Sequence, residues 1–299
     1  MKRAAPAHSH AHNLRGIAAM LASMAVFTVN DALFKVAAQS LPTGEAIFLR
    51  GVFTTLLCAA LVIARHDVAD LPRVASPRIA ARAVAEVGST LLFLTALVHM
   101  PIGDAVAILQ FTPLAITAGA ALFLGESVGW RRWLATGVGL VGVLIIVRPG
   151  GAAFNPFALL VILSIMFGAA RDLVTRSMGA GLPAFLIAGT SSAAVTLASL
   201  GLAAFETWTW PAAGVVAILL VSASALTAGQ YWLIVSVRTG EIVVVAPFRY
   251  SVVLWALLAG FLVWREVPDA ASCTGIAVVT AAGLYTFLRE QRLRRTRPA

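Results

Sequence analysis

Ten apolar stretches, each about as long as a bilayer core is thick, fix what this chain can become. They run approximately over residues 15–37, 44–64, 80–99, 103–124, 131–147, 156–177, 183–204, 212–237, 241–263 and 270–288, with breaks at Gly, Pro and charge clusters. A hydrocarbon core about 30 Å thick takes roughly 20 mostly apolar residues per helix. Helices leave no backbone group unpaired in lipid, and the period-2 alternation of a membrane barrel is absent. Composition agrees: 60% of the residues are hydrophobic and only 12% charged, with a mean hydropathy of +0.91. The expected fold is an all-α integral membrane protein of ten transmembrane helices.

A net charge of +9 raises the question of nucleic acid, but that reading needs basic residues gathered on one soluble face. Here they alternate with the helices. With the N-terminus in the cytoplasm, most of the 22 Lys and Arg, including Arg73, Arg78, Arg131, Arg132 and the arginines of the 289–299 tail, fall inside. Arg148 and Arg265 alone fall in external loops, while Lys35, Arg50, Arg171 and Arg249 lie within helices. The positive-inside rule then puts both termini in the cytoplasm. The expected setting is a bacterial-type inner membrane, with the lipid bilayer and a small-molecule substrate as partners and no nucleic acid. The first stretch contains Asn30 and Asp31 and is followed by no small-residue cleavage site, so it reads as a retained helix.

The chain repeats itself. At a spacing of 141 residues, Ser23 pairs with Ser164, Asp31 with Asp172, Lys35 with Arg176, and Leu41-Pro42 with Leu182-Pro183. "GDAVAILQF" from residue 103 then matches "GEIVVVAPF" from residue 240, and Glu126 matches Glu266. Each half, 15–148 and 154–288, holds five helices; five is odd, so the second half enters the membrane from the opposite side. Two inverted five-helix repeats are the architecture of secondary transporters, which place substrate at the midplane between the halves.

Charges inside a membrane are costly and normally paired. Asp31 and Lys35 stand four residues apart on one helical face, as do Asp172 and Arg176. Each pair is an intrahelical ion pair near a membrane boundary, part of a gate, or a route for proton coupling through its Asp. Arg249 has no acid three or four positions away. It either bridges to Glu86 at similar depth or anchors a substrate carboxylate, which a guanidinium fork suits. Gln110 and Thr112 on the fourth helix, Gln230, Tyr231 and Trp232 on the eighth, and Tyr250 on the ninth complete a candidate cavity lining. Trp130, Trp133, Trp208, Trp210 and Trp264 lie near helix ends as interfacial anchors. Pro113 and Pro247 break the backbone ladder of the fourth and ninth helices. Cys58 and Cys273 read as apolar packing residues.

Two five-helix halves, a Pro in the fourth helix with a small-residue run to Gly125-Glu126, and "GVGLVGVLIIV" in the fifth resemble the EamA repeat of the drug/metabolite transporter superfamily. The second half resembles it again from "AGQYWLIVSVRTGEIVVVAPFRY" to Glu266. Tyr250 stands where the first half has Pro113, and Arg265 where it has Gly125. The resemblance implies a ten-helix carrier with a central cavity and cytoplasmic termini, in a family that includes amino-acid exporters of the YddG type and carriers for S-adenosylmethionine and amines.

The expected function is export of small metabolites, amino acids including aromatic ones first, by alternating access. A carrier for S-adenosylmethionine or organic cations is the alternative. There is no HExxH, no Walker-type Gly-Lys loop and no Asp-rich diphosphate motif, so an enzyme is disfavoured and neither cofactor nor metal is expected. A channel differs by turnover that does not saturate.

Overall fold

The computed structural model describes residues 10–123, 129–151, 154–178, 182–203, 205–239 and 241–296. Ten helices in it are long and apolar enough to span a bilayer: α1 (His12–Ala37), α2 (Thr43–Ala64), α3 (Pro77–His99), α4 (Ile102–Leu122), α5 (Trp130–Val147), α6 (Phe157–Thr175), α7 (Ala184–Leu202), α8 (Ala213–Thr239), α9 (Ala246–Trp264) and α10 (Ala270–Arg289). Local chemistry sets several of their ends. Ser76 Oγ accepts from Ile79 N at 3.3 Å with Pro77 at the first helical position, starting α3.

The packing pairs obey one rule. α1 lies against α8 as α6 lies against α3; α2 against α8 as α7 against α3; α1 against α9 as α6 against α4. The pairs α2 with α7, α4 with α9 and α5 with α10 map onto themselves. Exchanging each helix for the one five places along maps these main contacts onto one another, and the odd number per half makes the repeats inverted. The two halves thus interleave across their whole interface.

Two glycines make the equivalent contacts close. A Cβ on Gly229 of α8 would lie 2.8 Å from the Phe27 ring of α1, and one on Gly88 of α3 would lie 2.6 Å from the Phe167 ring of α6. Each ring fills the hole that the missing side chain leaves, which is how small residues let membrane helices approach.

Two helices are interrupted at symmetry-related places. The helix of α4 ends at Leu109 and resumes at Thr112, just before Pro113, and Thr112 Oγ1 donates to Leu109 O at 2.6 Å where the backbone ladder lapses. In α9 the segment Ala246–Tyr250, containing Pro247, is a 3-10 turn, and Gly260–Trp264 is a π turn. Both prolines interrupt their helices as the sequence suggests. Non-α backbone at membrane depth is tolerated where it is buried in protein or lines a cavity.

Candidate functional site

A cavity of about 780 Å³ lies between the halves. Its lining runs from Asn30, Asp31 and Arg50 at one end to Arg82, Asp172, Ala184, Thr286 and Phe287 at the other. The latter stand at the helix ends on the face that carries both chain termini, so the cavity opens there and is blind toward the opposite face.

On that opposite face Lys35 sits at the centre of a contact network. Its Nζ lies 2.8 Å from Glu266 Oε1 and donates to Met100 O at 2.8 Å, while the Trp264 ring centroid is 4.6 Å away. Glu266 Oε2 accepts from Ile102 N at 3.0 Å, the first residue of α4. Lys35 therefore binds across the repeat interface, and the intrahelical pairing with Asp31 is not made. Trp264 supports this contact in addition to standing at a helix end. Further clasps join the same face: Glu206 takes Gly44 N at 2.9 Å, Glu45 takes Thr209 N at 3.0 Å, and Arg148 pairs with Asp269. Carboxylates at helix N-termini are favoured by the exposed N–H groups there.

A second cavity of about 340 Å³ sits on this face, lined among others by Met100, Asp104, Ile108, Arg148, Glu266 and Asp269. Ile108 borders this cavity and Leu109 the central one, so α4 stands between the two at that point.

Among the sequence candidates, Glu86, Gln110, Thr112, Gln230, Arg249, Tyr250, Asp31 and Asp172 line the central cavity. Tyr231 and Trp232 do not. They are 43% and 41% exposed, on the outside of the bundle. The cavity face of α8 is drawn by Leu226, Gln230, Leu233 and Ile234; at 3.6 residues per turn, positions one and two beyond Gln230 lie about 100° and about 200° away from it. Of the helix-end tryptophans, Trp130, Trp133, Trp208 and Trp210 are exposed. Cys58 is buried as expected, whereas Cys273 is exposed.

The charge partners also differ from the simplest spacing. Glu86 faces Arg171 at 3.3 Å and Arg82 at 3.5 Å, and Asp172 takes Arg171 Nε at 2.8 Å. Arg82 continues the network to Thr175 Oγ1 at 3.0 Å and to Ser191. With Glu86 so engaged, the Arg249–Glu86 bridge is not formed, and among the described residues no group makes a hydrogen bond or ion pair with the Arg249 guanidinium. The side chain of Arg176 and the whole of Gly125-Glu126 lie outside the described residues. Arg50, Arg82 and Arg171 enter the cavity lining although spacing did not single them out. The available signal was their mere presence in or beside membrane spans, where an ionisable residue is by default a site hypothesis.

Comparison with known proteins adds five findings. Residues 14–148 match the EamA-like transporter family. A riboflavin transporter of Rhizobium johnstonii is 30% identical over 203 residues, 68% of this chain and 67% of that protein. The pseudopaline exporter CntI of Pseudomonas aeruginosa is 29% identical over 274 residues, 88% and 92% of the two chains, and an S-adenosylmethionine uptake transporter of Rickettsia prowazekii is 22% identical over 280 residues, 93% and 94%. A solved crystal structure superposes with a TM-score of 0.63 at 18% identity, over 92% of this chain and 98% of that one, which is likeness of fold.

Proposed function

Since this chain belongs to the EamA-like transporter family of the drug/metabolite transporter superfamily, and so moves small molecules across a membrane without being an enzyme, we propose that it carries carboxylate-bearing metabolites of the amino-acid class outward by alternating access. The observation that carries this reading is Arg249. It stands on the interrupted segment of α9 with no protein partner for its guanidinium among the described residues. A fixed cation left open in a membrane cavity calls for an anion from outside the protein.

The charge balance supports it. Arg50, Arg82, Arg171 and Arg249 line the cavity against Asp31, Glu86 and Asp172. About 780 Å³ falls within the usual 300–1,000 Å³ of small-molecule sites and leaves room beyond a free amino acid. Phe93, Tyr250 and Phe287 supply apolar lining for an aromatic or other bulky substituent. With both termini in the cytoplasm by the positive-inside rule, the cavity opens inward, the state that loads an exporter.

A second reading is favoured by the three acids of the lining and by the Rickettsia relative: S-adenosylmethionine, an amino acid that carries an additional cation. Reconstituted liposomes test both. Labelled amino-acid uptake is expected to saturate and to be inhibited by other amino acids, with or without S-adenosylmethionine among the inhibitors. Carboxylate-free amines competing as well as amino acids would overturn the proposal.

A further inference from the structure

The blind end of the cavity holds a polar cluster to which the preceding reading gives no substrate contact. Asn30 Nδ2 donates to Asp31 Oδ1 at 2.8 Å, and Asn30 Oδ1 accepts from Ser222 Oγ at 2.9 Å and from Arg50 Nη1 at 3.4 Å. Ser222 Oγ also donates to Asn30 O at 3.0 Å, so α8 pins the amide in place. The amide therefore stands between an acid and a base. Asp31 and Arg50 interact electrostatically, yet no direct ion pair joins them.

Arg50 is poorly served for so buried a group. A guanidinium carries five N–H donors, and among the described residues only Nη1 finds an acceptor, at the long distance already given. Nε is buried with none at all. The residue is 6% exposed and lines the cavity, and its guanidinium lies 4.9 Å from the Phe34 ring centroid. That stacking leaves the N–H edge for binding. Asp31 likewise uses one oxygen for Asn30 and has no second hydrogen-bond partner among the described residues.

The geometry points to an amino-acid headgroup site: Arg50 takes the carboxylate of the substrate, Asp31 takes its α-ammonium, and Asn30 holds the two apart by the width of that headgroup. It rests on the proposed function and assigns which residues of the cavity read the headgroup. A zwitterion satisfies acid and base together. A carboxylate alone is set against Asp31, and an amine alone leaves the Arg50 fork unfilled. Arg249, near the open end, meets the carboxylate on its way in, and Arg50 holds it at the blind end.

Competition against labelled L-methionine uptake into proteoliposomes tests the assignment, with 3-(methylthio)propylamine and 4-(methylthio)butanoic acid as the carboxylate-free and amine-free probes. Wild type is expected to prefer methionine over each by roughly tenfold or more, because an unmatched buried polar group penalises the truncated ligand. Arg50→Gln raises the KM for methionine by a similar factor and leaves inhibition by the amine unchanged. Arg50→Lys retains the charge but not the fork, shifts KM the same way, and keeps the test open where the glutamine variant does not fold. Asp31→Asn abolishes the preference for methionine over 4-(methylthio)butanoic acid. Wild-type KM and rank order in both the Arg50 and Asp31 variants would overturn the headgroup site while leaving the amino-acid carrier standing. Absence of methionine uptake by wild type, with no amino acid taken up in its place, overturns the proposed function and this site with it.

Discussion

Lys35 Nζ lies 2.8 Å from Glu266 Oε1 although 231 residues of chain separate them. The bond ties the end of α1 in the first repeat to the loop after α9 in the second, and Glu266 extends it to the start of α4 through Ile102 N. Lys35 is almost wholly buried, so removing its partner strands a charge. Glu266→Ala is expected to cost about 3 kcal/mol, the low end for a broken buried pair because Glu266 keeps some exposure. Thermal unfolding in detergent reads this. A cysteine placed at Met100 in a Cys58→Ala, Cys273→Ala background should gain reactivity toward a water-soluble maleimide in the same variant; unchanged reactivity would show that the contact does not close this face.

The two close glycine contacts predict symmetric effects. Gly88→Ala and Gly229→Ala each drive a methyl into a phenyl ring and should cost about 1–3 kcal/mol. Gly214→Ala, where a Cβ meets nothing within 4 Å, is the control and should be neutral or stabilising. Phe167→Leu combined with Gly88→Ala should recover part of the loss, and a double-mutant cycle measures the coupling.

Between α5 and α10 the Arg148–Asp269 contact introduces a pH dependence. The hydrogen bond from Arg148 holds the Asp269 carboxyl well below the usual carboxylate range, with the backbone N–H of Ser272 adding to it. A carboxyl depressed in the folded state stabilises fully above its unfolded value of about 3.9 and loses that contribution as pH falls toward the depressed value. The unfolding temperature of wild type should therefore drop more steeply than that of Asp269→Asn between about pH 5 and about pH 3. Parallel curves would remove Asp269 as the cause.

Arg265 has a backbone φ of 59°, the left-handed region, at the end of α9. This is the position at which helices most often end on glycine, and the first half of the sequence carries Gly125 there. Arg265→Gly should stabilise the protein by about 1 kcal/mol through relief of that conformation, less whatever the guanidinium gains 5.5 Å from the Phe261 ring. Chemical denaturation in micelles is the measurement.

Tyr231 and Trp232 face away from the cavity, their rings packed edge to face at 5.8 Å. Leucine at either position should leave transport KM unchanged, whereas Arg249→Gln should raise it severalfold. Liposome uptake kinetics distinguish the two cases, and equal effects would mean that the cavity face of α8 is misassigned.

Spans, inverted symmetry and the two proline breaks were legible in the sequence because each has a signal longer than one residue: a hydrophobic run, a repeated spacing, a missing N–H. Pairing was not. Four-residue spacing made Asp31 and Lys35 look like partners, but spacing reports a shared helical face and not what the facing helices offer. Lys35 found Glu266 across the repeat interface, and Glu86 found Arg171 on the neighbouring α6. Helix rotation was the other hidden variable: Tyr231 and Trp232 adjoin Gln230 in sequence and leave it by more than a quarter of a turn in space.

The two cavities reach α4 on different faces, one at Ile108 and the other at Leu109. Recesses that admit water from both faces are more polarisable than hydrocarbon, so the membrane voltage is expected to fall more steeply across the helices between them than across a full bilayer. Moving one elementary charge through the whole voltage is worth about 2.3 kcal/mol per 100 mV. Under the proposed alternating-access cycle, much of that work would fall on the step in which the helices between the cavities rearrange around a charged solute, which makes its transport voltage-dependent.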